Sequence, residues 1–339
     1  MNFCGDKARM SCANDGARGI LYQAGMADPD AAATARFRAD LDRLGLGAAR
    51  PFGVAVSGGP DSLALLLLAN AAFPGLIHAA TVDHGLRAES ADEAETVAAI
   101  CARMGVPHAI LSAGMVATSN VQAAARARRY DLLAWWAEEN GLACILTAHH
   151  LDDQAETLLM RLLRGSGLAG LAGIRARQDR PVPVLRPLLG WRRAELEVIV
   201  LAAGIEPVRD PSNADDRYDR ARLRKRLAET GWIDPAPLAR SAAVLAEAEE
   251  ALGWVEHMLW QERVAAAGDG FSLDPIGLPA ELRRRLVLGV LAAIGGPAPR
   301  GDEVARLIAT LEAGGTATLS GTKCVGGARW RFAPAPPRR

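Results

Sequence analysis

Ser57-Gly58-Gly59-Pro60-Asp61-Ser62 follows the apolar run Phe52 to Val56 and opens the leucine-rich run Leu63 to Leu68. The pattern predicts a short buried strand, a tight Gly-Gly turn and a helix N-terminus. Such a junction binds anions: glycines take positive φ and let a ligand approach the backbone, and the helix end offers unpaired amides and a positive dipole. Asp61 and Ser62 set a carboxylate and a hydroxyl beside it, a combination suited to a magnesium-bound nucleotide. No Gly-Lys-Ser/Thr follows these glycines and Ser57 to Ser62 does not itself read Gly-x-Gly-x-x-Gly, so the stretch is neither a Walker A loop nor a dinucleotide fingerprint.

From Pro51 onward apolar runs alternate with amphipathic segments, the signature of strand-helix units and a parallel sheet. Strands are expected at Phe52 to Val56, Leu76 to Val82, His108 to Leu111 and Ala143 to Ala148. Helices are expected at Ser62 to Ala72, Ser90 to Met104, Val121 to Asn140, Asp153 to Arg164 and Arg192 to Ala203. Ligands of such sheets bind at the carboxyl ends of the strands, where the loop, Asp83-His84 and His149-His150 all fall. Composition shifts near Gly231. Beyond it Leu238 to Ala266, Leu282 to Ala293 and Asp302 to Ala313 read as helices, with small strands at Ala317 to Leu319 and Ala328 to Phe332.

At 339 residues the chain is long for one domain. The expected division is a poorly ordered N-terminal extension over residues 1–48, in which only Ala31 to Leu46 hints at a helix, an α/β domain over 49–230, a smaller, mostly helical domain over 231–332 and a disordered tail over 333–339. No run of eighteen uncharged apolar residues and no signal-peptide pattern occurs, so membrane insertion and secretion are not expected. Cys4, Cys12, Cys101, Cys144 and Cys324 form no Cys-x-x-Cys pair, and the cytoplasm fits them best. Net charge is zero, yet 36 of the 39 basic residues are arginine, the side chain that grips phosphate with two parallel bonds.

His149-His150-Leu151-Asp152-Asp153-Gln154-Ala155-Glu156-Thr157 begins at a strand end and runs into a helix. Asp152 is the expected N-cap, with Asp153 and Glu156 on one face at i and i+3. Two carboxylates there would hold magnesium; equally, acidic residues at a helix start favour its dipole with no metal at all. Arg126 and Arg129 share a helix face with Tyr130 next to them, open to AMP, RNA, acidic neighbours or solvent. Arg217 to Arg226 carries six cations against Asp219, a phosphate-contacting pattern.

The loop Ser57-Gly-Gly-x-Asp-Ser62 resembles the pyrophosphate-binding loop of the PP-loop ATP pyrophosphatases. Ala148-His-His-x-Asp-Asp-Gln-x-Glu-Thr157 and Leu163-Arg-Gly-Ser-Gly-Leu-x-Gly-Leu171 narrow the likeness to that family's tRNA(Ile)-lysidine synthetase branch. Val82 to Arg87, Gln122 to Tyr130, Arg186-Pro-Leu-Leu189 and Asp210-Pro-Ser-Asn213 extend it over roughly Phe52 to Leu227. One departure is Arg220-Ala221, where the family usually carries Arg-Asn; any hydrogen bond from that amide is lost.

The resemblance implies an α/β fold: a parallel-sheet PP-loop (adenine nucleotide alpha hydrolase-like) domain followed by the helical domain, whose job would be tRNA docking. It implies that ATP adenylates C2–O of the wobble cytidine in the CAU anticodon of isoleucine tRNA, and that free L-lysine then displaces AMP. In that scheme the backbone of Ser57, Gly58, Gly59, Pro60, Asp61 and Ser62 spans the pyrophosphate site, with amide donors at all of these but Pro60. Asp61, Asp153 and Glu156 share Mg2+, His149 orients or deprotonates a reacting group, and Arg126 and Arg129 act on the substrates. A homodimer is a further expectation. Within the same fold a PP-loop tRNA thiolase is the runner-up, and from another class a metal-dependent phosphoesterase built on Asp83-His84, His149-His150, Asp152 and Asp153.

Overall fold

The structure is a computed structural model that describes residues 26–47, 50–83, 89–114, 121–208, 219–231 and 233–336. Two compact units divide between Leu245 and Ala246.

The first unit is built on a six-stranded sheet. Its strands are β1 (Phe52–Ala55), β2 (Ile77–Asp83), β3 (His108–Ser112), β4 (Ile145–Leu146), β5 (Arg177–Gln178) and β6 (Val184–Leu185). They lie in the order β3-β2-β1-β4-β6-β5, parallel except for the edge pair β5 and β6. Helices α2 (Pro60–Ala72), α3 (Glu89–Arg103), α4 (Val121–Glu139), α5 (Leu151–Leu163) and α7 (Arg193–Ala202) follow strands or connect them, with the short α6 (Leu168–Leu171) between. Nearly every residue of α2 from Ser62 to Ala69 is buried, which is why its sequence is apolar all round rather than striped. On the other face Trp136 of α4 packs so closely on β1 that a Cβ at Gly53 would lie 2.6 Å from its ring, so only glycine admits that helix. The expected strands and helices are present with boundaries moved by one to three residues.

Helix α1 (Ala31–Arg43) lies where the sequence hints at a helix, within the stretch otherwise expected to be a poorly ordered extension. Phe37 and Leu41 are fully buried in the main core, and Trp191 donates from Nε1 to Asp40 at 2.8 Å. Two large apolar anchors and one buried polar tie suffice to dock a helix whose remaining face is charged. Residues 1–25 of the expected extension lie outside the described residues.

The remaining elements are α8 (Asp219–Thr230), α9 (Pro235–Arg263), β7 (Val264–Ala267), β8 (Gly270–Leu273), α10 (Ala280–Ile294), α11 (Gly301–Glu312), β9 (Thr316–Leu319), β10 (Thr322–Val325) and β11 (Trp330–Pro334). The division between the units falls within α9. In the second unit five antiparallel strands, ordered β7-β8-β11-β10-β9, turn Leu273, Cys324, Trp330 and Phe332 onto Leu286, Val290, Leu307 and Leu311 of α10 and α11. The sheet is larger than the two small strands expected, because Val-Ala-Ala-Ala of β7 has no alternation and reads as helix. The proline-rich end is likewise corrected at Ala333 and Pro334, which belong to β11; residues 337–339 lie outside the described residues. No described helix is long and apolar enough to cross a membrane.

Candidate active site

The loop after β1 is shaped by its glycines. Gly58 has φ +81°, and its carbonyl accepts the amide of Val208 at 2.9 Å. A Cβ there would stand 3.0 Å from Val208 Cγ2 and 3.3 Å from Val97 Cγ2. Gly59 caps α2 in extended conformation without a side-chain bond, and Pro60 occupies the first turn, where its missing N–H costs nothing. The Ser62 hydroxyl donates to Gly59 O at 3.0 Å and accepts from the amide and hydroxyl of Ser57 at 3.1 and 3.2 Å. The Ser57 amide is thereby spent inside the loop. The amides of Gly58, Gly59, Asp61 and Ser62 have no protein acceptor among the described residues, and they face the end of the sheet where the helix dipole is positive.

Asp61 sits beside them with a buried Oδ1 that has no hydrogen-bond partner. Its Oδ2 lies 3.5 Å from Nε2 of His150, a residue that is 1 % exposed. His150, not the expected Asp152, is the N-cap of α5. Its Nδ1 accepts the amide of Asp153 at 3.3 Å while Asp153 Oδ2 accepts the amide of His150 at 3.1 Å, a reciprocal capping box. Burial disfavours the imidazolium, but the carboxylates of Asp61, Asp153 and Asp152 outweigh it and raise the His150 pKa. Asp152 Oδ2 lies 3.7 Å from His150 Nδ1 and also accepts the amide of Arg193 at 2.8 Å at the start of α7.

Glu156 is 3 % exposed, and both of its oxygens are held by α8. Arg220 Nε donates to Oε2 at 2.6 Å, and Arg224 donates from Nε to Oε1 at 2.7 Å and from Nη2 to Oε2 at 3.0 Å. Burial works against the charge on Glu156, yet the bonds from Arg224 and Arg220 prevail and hold its carboxyl below the usual range. Arg220 also donates from Nη2 to Asp153 Oδ1 at 2.6 Å. Of the three carboxylates expected to share magnesium, Glu156 and one oxygen of Asp153 are met by guanidinium groups. No described group of three or more His, Cys, Asp or Glu side chains is arranged to hold an ion. Magnesium nonetheless fits at Asp61, since it keeps several waters and is bound through one or two carboxylates together with substrate phosphates.

His149 Nδ1 lies 3.1 Å from Thr147 Oγ1. Burial, then the charges of Arg186, Arg126, Arg129 and Arg220, lower its pKa to about 2. It is therefore neutral at physiological pH, a state suited to orienting a reacting group by hydrogen bonding. Arg126 and Arg129 lie against Tyr130, their guanidinium carbons 5.5 and 5.4 Å from the ring centre.

The structure places Ser57 to Ser62, His149, Asp153 and Glu156 around the end of the sheet, together with His150, which the sequence reading used only in the phosphoesterase alternative, and with Arg220 and Arg224, to which it assigned no catalytic or metal role. Asp210 to Asn213 and His84 lie outside the described residues.

Residues 33–230 match the PP-loop domain family. The chain is 49 % identical over 317 residues to the tRNA(Ile)-lysidine synthase of Novosphingobium aromaticivorans, a match spanning 91 % of this chain and 95 % of that one. The chain belongs to the tRNA(Ile)-lysidine synthases of the PP-loop family. The enzyme of that name from Zymomonas mobilis subsp. mobilis is 46 % identical over 85 % of this chain and 89 % of its own. Among solved structures, the U34-tRNA thiolase NcsA of Methanococcus maripaludis, with its [4Fe-4S] cluster, is similar at TM-score 0.54 and 19 % identity over 64 % of this chain and 79 % of that one. The likeness to NcsA is one of fold.

Proposed function

We propose that the chain joins free L-lysine to C2 of the wobble cytidine in the CAU anticodon of isoleucine tRNA, in the cytoplasm and with ATP as the energy source. The near-full-length identity with the Novosphingobium synthase carries this reading. The cytidine oxygen attacks the α-phosphorus and pyrophosphate leaves; the lysine amine then attacks C2 and AMP leaves with that oxygen.

The residues suit both steps. Free amides at Gly58, Gly59, Asp61 and Ser62 present a preorganised donor set to the departing pyrophosphate. Asp61 with the ATP phosphates would hold Mg2+, which when bound offsets phosphate charge. His150 fixes Asp61 from one side and the start of α5 from the other, so the two halves of the site keep their spacing. His149, neutral, orients a reacting group by hydrogen bonding.

The thiolase reading is disfavoured by the described cysteines. Burial pushes the thiols of Cys101 and Cys144 up to about 12 and that of Cys324 to about 11, so none offers a reactive thiolate. The phosphoesterase reading is disfavoured at Asp153, whose two oxygens accept from Arg220 and from the amide of His150, and at Asp152, one oxygen of which accepts the amide of Arg193. The direct check is pyrophosphate release from ATP with an unmodified isoleucine tRNA transcript. Release that requires the CAU anticodon supports the proposal, and release indifferent to RNA contradicts it.

A further inference from the structure

Four arginines converge on Tyr130 without a carboxylate among them. Arg126, Arg129 and Arg180 place guanidinium carbons 5.5, 5.4 and 4.9 Å from its ring centre. Arg186 donates from Nη2 to the Tyr130 hydroxyl at 3.4 Å. Arg186 is only 4 % exposed; its remaining bonds go to Arg175 O at 2.8 Å and Gln178 Oε1 at 3.3 Å, and its buried Nε has no hydrogen-bond partner among the described residues. None of the four forms an ion pair among the described residues. Arg177, on the same hairpin, is by contrast neutralised by Asp179 at 2.8 Å.

Four uncompensated cations around one buried ring repel one another, and a buried guanidinium N–H without an acceptor is costly. A bound anion removes both penalties. Arginine forks match phosphate oxygens, and stacking on Tyr130 holds the forks in place before a ligand arrives. The position distinguishes this cluster from the nucleotide loop. Arg186 ends β6, which is separated from β1 by β4, so the cluster stands two strand spacings, about 10 Å, from the strand that feeds Ser57 to Ser62. Arg126 and Arg180 are exposed and open toward solvent, where a macromolecule can reach them.

We propose that Arg126, Arg129, Arg180 and Arg186 form, around Tyr130, a receptor for a backbone phosphodiester of the RNA substrate, separate from the loop that takes the phosphates of ATP. The proposal rests on the reading of RNA as substrate. It commits Arg126 and Arg129, left open by the sequence between AMP, RNA, acidic neighbours and solvent, to RNA, and sets Arg180 and Arg186 beside them. Because a phosphodiester carries no base identity, the receptor sets affinity and register, while the choice of anticodon is made elsewhere.

The test is binding of a fluorescent isoleucine tRNA transcript by the full chain over a salt series, with ATP binding measured in parallel. Exposed Arg180 is changed to Gln, and Arg177→Gln serves as the neighbouring control. Arg180→Gln is expected to weaken RNA binding by roughly tenfold and to reduce the slope of log affinity against log salt by about 1, equally for transcripts with CAU and with an altered anticodon. ATP affinity stays within about twofold, and Arg177→Gln behaves as wild type. Arg180→Lys retains the slope. Wild-type affinity and slope in Arg180→Gln overturn the proposal, as does a loss of ATP affinity, which would assign the anion to the nucleotide. A wild-type chain that binds no transcript contradicts the RNA reading and the receptor together. One that binds transcript but joins no lysine to it contradicts the ligation alone.

Discussion

Arg220 donates from Nε to Glu156 Oε2 at 2.6 Å and from Nη2 to Asp153 Oδ1 at 2.6 Å, so one guanidinium joins α8 to two carboxylates of α5. Glu156 is the buried post of that junction, with Arg224 on its other oxygen. Glu156→Gln removes the charge that both arginines face and leaves them partly buried without it. The expected loss is about 3 kcal/mol in guanidinium denaturation, with an unchanged m-value. Added magnesium does not restore it. Magnesium-dependent recovery would return Glu156 to the metal set.

Asp61 is the opposite case, a carboxylate with one buried oxygen that has no hydrogen-bond partner among the described residues. Asp61→Asn keeps the shape and removes the charge that magnesium and His150 both use. Pyrophosphate release is expected to fall at least a hundredfold, on the scale of losing a preorganised electrostatic group, with the cooperative unfolding transition preserved. Activity within tenfold of wild type would take Asp61 out of the metal site.

His149 carries a pH prediction. Its folded pKa is about 2 against 6.5 for the free side chain. The unfolded chain therefore binds a proton below pH 6.5 that the folded chain refuses, and stability is lost as pH falls from 6.5 toward 2. Between pH 7.5 and 5.5 the wild type should lose about 1 kcal/mol more than His149→Asn. The rate profiles of the two should run parallel over the same range. An ionisation present in wild type and absent in His149→Asn would make His149 a base.

Gly58→Ala tests the loop geometry. The added methyl meets Val208 and Val97 at 3.0 and 3.3 Å on a backbone with φ +81°. Left-handed backbone alone costs an L-residue about 1–2 kcal/mol. The variant should be destabilised by at least that amount and bind ATP more weakly, because the open amides shift with the turn. Unchanged ATP affinity would place the phosphates elsewhere.

The main elements of this site were legible because they are local. An apolar run, two glycines and a leucine-rich helix declare β1, the loop and α2 within twenty residues. The cap of α5 was misread because serine, threonine, asparagine and aspartate are the favoured caps, whereas here a buried imidazole takes that role. The Glu156 junction joins positions 64 and 68 residues apart, and no periodicity reports such a distance. Arg180 and Arg186 reach Tyr130 in the same way, through strand order alone. Helix α1 was under-read because its polar composition hides the two buried anchors, Phe37 and Leu41.

The most direct measurement supplies the purified chain with ATP, magnesium, labelled L-lysine and an isoleucine tRNA transcript bearing CAU, and counts label retained in the RNA. Incorporation approaching one lysine per transcript, with one AMP and one pyrophosphate released for each and none when the wobble cytidine is replaced, is the predicted result. Transcript and ATP both bound, with no lysine incorporated, would contradict the account.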